Sequence, residues 1–249
     1  MGTALDTTLG EQLMLLNLDD ETGTARQAHR VPYATAGAAL LELAMSGRVT
    51  IGGRATAGGD GTGAPPGTES PDGSDGSDGG RVVVRDATPL GVQSLDAALI
   101  RIHGSGRPRG ARHWIGALAR ESAEAARAGL LAHGLVREEH RRVLGVFPGS
   151  SRYPETDGSV ERKLRLKLTA VVHDGVEPDE RTAALLALVH GAGLHRTAFP
   201  GADEEHTGRR LDELTRGHWA TPAVRAVIGE VQSALCMAVL TPVLVTTAS

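Results

Sequence analysis

Residues 40–51, LLELAMSGRVTI, constrain the fold more than any other stretch of the sequence. The first six residues are apolar at helical density except for Glu42, and Gly47 is a typical helix stop. Residues 48–51 follow at once with the alternation of a β-strand. An unpaired buried carboxylate is too costly to keep. The stretch therefore predicts a buried helix that leads directly into a hairpin, with Glu42 paired inside the protein.

The shortage of aromatic residues extends the helical prediction to the whole chain. Only 2% of the 249 residues are aromatic, whereas 40% are hydrophobic. A core of this composition is built from Leu, Ala and Val, a mixture that favours helices over β-sandwiches. We therefore predict a mostly α fold.

Capping signals locate three of the helices. Thr8 and Glu11 form a capping box before an apolar run, and Asp179 precedes a run that is apolar on nearly every side. Thr221-Pro222 is typical of a helix start, and Pro242 is expected to end that last helix. Apolar periodicity predicts further helices at about residues 33–46, 95–102 and 113–133.

Residues 160–172 fit two structures. Leu164, Leu166 and Leu168 alternate as in a strand, but Val160, Leu164, Leu168 and Val171 form a helical stripe. We predict a helix there.

Two hairpins are predicted, and a low-complexity tract interrupts the first. Residues 48–51 and 81–85 (RVVVR) read as paired strands, and residues 141–154 read as strand, turn, strand. The tract at about 53–80 is rich in Gly, Ser, Asp and Pro, cannot bury apolar area, and is predicted to be disordered. We predict one domain over residues 5–245 with this tract as an insertion.

Charge is unevenly distributed along the chain. The formal net charge is −4, but residues 101–167 carry 14 basic and 7 acidic side chains. A basic segment between acidic flanks suggests an anionic partner, such as a lipid surface, a nucleic acid or a phosphorylated ligand. Charges scattered round a solvated surface are the alternative.

Several classes of protein are disfavoured. Cys236 is the only cysteine, which excludes an internal disulfide framework and a multi-cysteine metal site. The first residues lack the features of a signal peptide, and the apolar stretch 223–240 is interrupted by charges, as in a buried helix rather than a membrane span. No nucleophile elbow, phosphate loop or general acid and base pair is evident. We therefore expect a cytoplasmic, non-enzymatic protein without a cofactor or metal.

Four stretches resemble, in order, segments of the Golgi phosphoprotein 3 family: LGEQLMLLNLDDETG, LLELAMSGRVTI, TPLGVQSLDAALIRI and DERTAALLALVHGAG. The resemblance spans about residues 5–240 and implies a central apolar helical bundle wrapped by amphipathic helices, with short β-hairpins. Eukaryotic members are peripheral Golgi proteins that bind phosphatidylinositol 4-phosphate and help retain glycosyltransferases. The preference for arginine over lysine further suggests a bacterial member with a high-GC genome.

The resemblance also implies candidate headgroup ligands. The family pattern has a Trp in the loop after the first helix, an Arg at the start of the second, and two Arg three apart on the helix before the projecting hairpin. Arg120 fits the first of that pair, whereas the second falls on Ala123. The positions of the Trp and of the second-helix Arg fall near Gln27 and on Ala36. Arg26 and Arg30 are close enough to substitute, and Arg112 is a further candidate.

The second hairpin has two open interpretations. Val146, Phe147 and Tyr153 lie beside the turn, flanked by basic residues that include Arg152, a mixture typical of an element that dips into a headgroup layer. An oligomer contact fits equally well, because a yeast relative assembles through this hairpin.

The resulting prediction is a cytoplasmic protein, peripheral on the cytosolic face of a membrane, that binds anionic lipid. Cytosolic tails of membrane proteins and a second copy of the chain are further candidate partners, and nucleic acid is not expected. The alternative is a winged-helix DNA-binding protein that uses residues 110–155, where a helix precedes a basic hairpin.

Overall fold

The structure of the protein, a computed structural model, describes residues 7–19, 22–52, 80–143, 147–216 and 221–245. These ranges contain nine helices and five strands, in the order α1 (Leu9–Asn17), α2 (Val31–Met45), β1 (Val49–Gly52), β2 (Arg81–Val84), α3 (Gln93–His103), β3 (Arg109–Gly110), α4 (Ala111–Ala132), β4 (Glu139–Val143), β5 (Phe147–Arg152), α5 (Ser159–Val172), α6 (Glu180–Gly191), α7 (His195–Ala198), α8 (Glu204–Arg216) and α9 (Pro222–Val245). The predicted mostly α fold is confirmed.

Helix α2 is the centre of the helical bundle. It packs against α1, α3, α4, α6 and α9, and nearly all of its side chains are buried. Gly37 lets α9 and α6 approach closely, since a Cβ there would lie 3.0 Å from Val231 Cγ1 and 3.1 Å from Leu188 Cδ2. The apolar character of residues 31–45 therefore reflects burial on all sides rather than on one face.

Glu42 is paired inside the bundle, as predicted. Its Oε1 lies 2.9 Å from Arg181 Nη2 on α6 and accepts a 3.1 Å hydrogen bond from the backbone N–H of Leu9. Burial raises the pKa of Glu42, while Arg181 and the Leu9 hydrogen bond act in the opposite direction. The carboxylate thus joins the start of α1 to α2 and α6.

Amphipathic helices lie around this bundle. Helix α3 buries Leu95, Leu99 and Ile102, and α8 buries Leu211. On α5 the stripe that includes Leu164 and Leu168 is buried, whereas the side chain of Leu166 is 67% exposed. The helical interpretation of residues 160–172 is therefore confirmed, because the period of the buried positions is helical.

Both predicted hairpins are present. Strands β1 and β2 pair antiparallel with Val49 opposite Val84, and β3 adds to β2 as a short third strand. Strands β4 and β5 pair with Glu139 opposite Arg152. The predicted insertion at about 53–80 lies outside the described residues, except for Gly80.

The expectation that Pro242 ends the last helix is wrong. Helix α9 continues through this proline to Val245. A proline inside a helix removes one backbone hydrogen bond and clashes with the preceding turn, which kinks some helices without ending them. Within the described ranges, no helix is both long enough and apolar enough to cross a bilayer.

Candidate functional site

Three segments that are distant in sequence enclose a cavity of about 370 Å³. The loop after α1 and the start of α2 form one wall, the second half of α4 forms another, and the end of the β4–β5 hairpin forms the third. Gly23, Ala123, Arg127 and Tyr153 are among the lining residues. We call this space the α4 cavity. Its size falls in the range of small-molecule pockets, about 300–1,000 Å³.

Gly23 allows the loop to close against the hairpin. It has a φ of +61°, and its carbonyl oxygen accepts a 2.9 Å hydrogen bond from the N–H of Tyr153. A Cβ on Gly23 would lie 2.2 Å from the backbone nitrogen of Pro154. Glycine is required here both because the backbone is left-handed and because the Tyr153–Pro154 segment of the backbone passes so close to it.

Arg127 supplies the positive charge of the α4 cavity. Its guanidinium carbon lies 5.1 Å from the centre of the Tyr153 ring, and the Tyr153 hydroxyl donates a 3.1 Å hydrogen bond to Glu138 Oε1. Among the described lining residues Arg127 is the only charged side chain, and no ion-pair partner for it occurs in the described part of the chain. The pKa of Glu124, one turn earlier on α4, is lowered mainly by Arg120 and to a smaller extent by Arg127, so Arg127 feels this carboxylate without forming a salt bridge with it. The guanidinium over the Tyr153 ring therefore keeps hydrogen-bond donors for an anion.

Arg112 and Arg120 lie on the same side of α4 as Arg127, within an arc of about 80° and over about 22 Å of the helix axis. Arg112 is exposed in the first turn of α4. The side chain of Arg120 is 88% exposed and donates a 2.8 Å hydrogen bond to Glu124, which lowers the pKa of that carboxyl group. Neither arginine lines the α4 cavity, whereas Ala123, where the family pattern has its second arginine, does.

The two arginines from the α1–α2 connection have different surroundings. Arg26 lies in the loop beside the α4 cavity, and its Nε donates to Asp19 Oδ2 at 3.3 Å. Arg30 turns away from the cavity, and its Nη1 donates to the carbonyl oxygens of Gly193 at 2.8 Å and Ala192 at 3.3 Å. Neither arginine lines the cavity, although Arg26 directly follows Ala25, which does. Their predicted roles as lipid ligands stay predictions.

The hairpin residues are only partly described. Tyr153 lines the α4 cavity, and the half-buried Arg152 pairs with Glu139 across the two strands. Phe147 begins β5 opposite Val143. Val146 lies outside the described residues.

Two lining residues were missed by the sequence analysis. Arg127 follows Arg120 by seven residues, a spacing that puts both on one side of a helix, so the signal was present. Asn17 is the single amide in the apolar run Leu15–Leu18, at the end of α1, and it also lines the α4 cavity. A single amide in an apolar run indicates a site residue less strongly than the spacing of Arg120 and Arg127 does, because an amide that caps a helix end produces the same sequence pattern.

A sequence model of the Golgi phosphoprotein 3 (GPP34) family matches residues 9–231, which extends from the start of α1 into α9. The chain belongs to the Golgi phosphoprotein 3 family. A search of the curated proteins found no significant match to the chain. The Golgi phosphoprotein 3 match does not bear out the bacterial origin that the arginine usage suggested.

No observation supports the DNA-binding alternative for this Golgi phosphoprotein 3 family member. Helix α4, which would be its recognition helix, packs against α1, α2 and α9 through one face that buries Trp114, Ile115, Leu118 and Leu130. Within the described residues, no group of three or more His, Cys, Asp or Glu side chains is arranged to hold a metal ion.

Proposed function

We propose that this protein is a peripheral membrane protein that binds the headgroup of an anionic phospholipid in the α4 cavity. The observation that carries the proposal is the cavity itself. It forms where the loop after α1, the start of α2 and helix α4 meet, which are the segments that hold the lipid ligands in the family pattern. A protein that binds a lipid headgroup in this way has no need of a catalytic group.

Arg127 is the proposed contact to the phosphate. It lies one helical turn after Ala123, so it supplies a guanidinium close to the position that the family pattern gives to an arginine. Arg112 and Arg120 would face the leaflet on the same side of α4. Each contributes about 1 kcal/mol near an anionic surface without needing a specific geometry.

Liposome flotation with and without anionic lipid tests the proposal. Replacing Arg127 by Met should weaken binding to anionic vesicles about tenfold or more, because a hydrogen bond to a charged group contributes about 1.5–3 kcal/mol. Arg209→Met is the matched control, since Arg209 carries the same charge on the exposed side of α8, where its Nη1 lies 3.5 Å from Glu205. It should bind like the unchanged protein.

Two further measurements distinguish headgroup binding in the α4 cavity from general attraction of exposed charges to an anionic membrane surface. Arg120→Glu should weaken binding more at low salt than at high salt, because attraction between exposed charges fades within a Debye length of about 8 Å at physiological ionic strength. The melting temperature of each variant checks that the fold is intact. Equal binding of neutral and anionic vesicles, or equal affinities of Arg127→Met and Arg209→Met, would contradict the proposed site.

The proposal includes a location and further partners. We place the protein on the cytosolic face of a membrane, where anionic lipids and the cytosolic tails of membrane proteins are both present. The β4–β5 hairpin would either enter the lipid or join two copies of the chain.

A further inference from the structure

A second concave space, of about 490 Å³, lies between helices α3 and α4. We call it the α3–α4 cleft. Its α4 wall includes Glu121, Ala125 and Ala128. On an ideal helix these positions lie about 150° round the axis from Ala123 and Arg127, which line the α4 cavity. The α3–α4 cleft is therefore separate from the proposed headgroup site.

Glu11 lines the α3–α4 cleft with a carboxylate that has one free oxygen. The residue is 6% exposed, and its Oε2 accepts the 2.8 Å hydrogen bond from the Thr8 N–H. Its Oε1 has no hydrogen-bond partner in the described part of the chain, and it is not among the polar atoms that are sealed from solvent. A Cβ on Gly129, which also lines the cleft, would overlap Oε1. The free oxygen therefore occupies the space of the missing side chain, on the wall of the cleft.

The buried charges around Glu11 lack a second permanent cation. The carboxylate of Glu42 lies close enough to repel that of Glu11, and Arg181 is the arginine that pairs with Glu42. His133 Nε2 lies 3.8 Å from Glu11 Oε2, but this imidazole is charged only when protonated. Burial raises the pKa of Glu11, while a backbone hydrogen bond, His133 and Arg181 act in the opposite direction. Because a buried carboxylate is costly without a cation, a bound cation would stabilise this arrangement.

The lining of the α3–α4 cleft fits an ammonium group on an apolar body. Glu11 and Glu121 are acidic, and none of the described lining residues is basic. Leu118 and several alanines make most of the remaining surface apolar, whereas the hydroxyl groups of Ser94 and Ser122 can accept hydrogen bonds. A single free carboxylate oxygen suits the point charge of an ammonium group better than a guanidinium, whose planar fork pairs best with two oxygens.

We infer that the α3–α4 cleft binds a small organic cation, a primary amine in its ammonium form on an apolar body. The ammonium group donates a hydrogen bond to Glu11 Oε1, and the apolar body lies against Leu118 and the alanines of the two helices. The volume of the cleft falls within the range of small-molecule pockets, about 300–1,000 Å³. The inference goes beyond the proposed function, because it concerns a different ligand at a different site.

Titration calorimetry of the full chain near neutral pH tests the inference with three probes of equal chain length. Hexylammonium carries both the charge and the N–H donors, since primary alkylamines are protonated at this pH, as lysine is. Hexyltrimethylammonium keeps the charge without the donors, and 1-hexanol lacks the charge. Hexylammonium should bind about tenfold or more tightly than either of the others, the range expected for a hydrogen bond to a charged group. It should also raise the melting temperature, because it binds the folded state.

Three variants assign the binding to the cleft. Glu11→Gln should weaken hexylammonium binding about tenfold or more while keeping the fold, because glutamine also serves at this position of a capping box. Glu124→Gln is the matched control, since it removes the same charge from the exposed side of α4 outside the cleft, and it should bind like the unchanged protein. Ala128→Leu should also weaken binding, because a larger side chain fills part of the cleft and leaves Glu11 in place.

Several results would overturn the inference. One is an affinity for 1-hexanol or hexyltrimethylammonium equal to that for hexylammonium, and another is the absence of hexylammonium binding. A folded Glu11→Gln variant with unchanged affinity, or equal losses in Glu11→Gln and Glu124→Gln, would overturn it as well. If Glu11→Gln does not fold, unchanged binding to Ala128→Leu would have the same consequence. The vesicle assays of the α4 cavity test the proposed function separately.

Discussion

Replacing Gly129 by alanine should destabilise the protein, although alanine is the better helix former. Gly129 lies near the C-terminal end of α4 and faces Glu11 on α1. A Cβ at Gly129 would lie 1.7 Å from Glu11 Oε1 and 2.7 Å from Glu11 Cδ. The Glu11 carboxylate is buried and accepts a 2.8 Å hydrogen bond from the N–H of Thr8, one half of the capping box of α1. The new methyl group therefore has to displace a carboxylate that caps a helix.

The expected magnitude follows from these contacts. Losing the cap costs about 0.5–2 kcal/mol, and leaving a buried carboxylate without its hydrogen bond costs about 1–3 kcal/mol. Against this loss, replacing glycine by alanine inside a helix stabilises the helix by about 1 kcal/mol. The free energy of unfolding should thus fall by about 0.5–4 kcal/mol. For a chain of this size each kcal/mol lowers the melting temperature by about 2–4 °C.

Thermal and urea denaturation measure the effect, and the chain offers a matched control. Gly116 lies on the same helix, is exposed, and has no heavy atom within 4 Å of an added Cβ, so Gly116→Ala should stabilise by about 0.5–1 kcal/mol. In a Glu11→Ala background, Gly129→Ala should also become neutral or stabilising, as a double-mutant cycle would show. The reasoning is refuted if Gly129→Ala is as harmless as Gly116→Ala, or equally harmful with and without Glu11.

Three further predictions concern pH, the insertion and the hairpin. Burial raises the pKa of Glu42, so the stability that this shift contributes is complete below the unfolded-state pKa and is lost as pH rises through the folded-state pKa. When pH is lowered from 7 to 5, the free energy of unfolding measured in urea should therefore rise less in Glu42→Gln than in the unchanged protein. An equal rise in both would contradict the raised pKa of Glu42. Deleting residues 55–79 and closing the hairpin with a short Gly turn should leave the melting temperature nearly unchanged, whereas a loss of several degrees would show that the tract packs. Phe147→Ala should lower membrane affinity about tenfold if the hairpin enters lipid, or lower the sedimenting mass if it joins subunits, and no change in either would exclude both roles.

The sequence allowed the fold to be predicted where the signals were local. The capping box of Thr8 and Glu11, the cap at Asp179 and the first hairpin were all confirmed. Each of these depends on residues close in sequence or on a repeating apolar pattern. Pro242 was misjudged by the same local reasoning, because whether a proline kinks or ends a helix depends on what surrounds the helix.

The candidate site was harder to predict, because its residues belong to three separate segments. Counting from family motifs located the loop after α1 and helix α4, but Arg127 and Asn17 emerged only when the lining of the cavity was known. Arg30 illustrates the opposite case. Its position in the sequence suggested a lipid ligand, whereas its guanidinium is engaged by carbonyl groups at the end of α6, more than 160 residues away.

The sequence by itself therefore determined the helices, their caps, the two hairpins and the need for a partner at Glu42. These features follow from backbone hydrogen bonding, side-chain caps and the burial of apolar stripes, which act over a few residues. Only the tertiary structure decided that the partner is Arg181, that Gly129 makes room for Glu11, and that Asn17 and Arg127 line one cavity. Such contacts join residues far apart in the chain, and their geometry depends on how all the packed helices fit together at once.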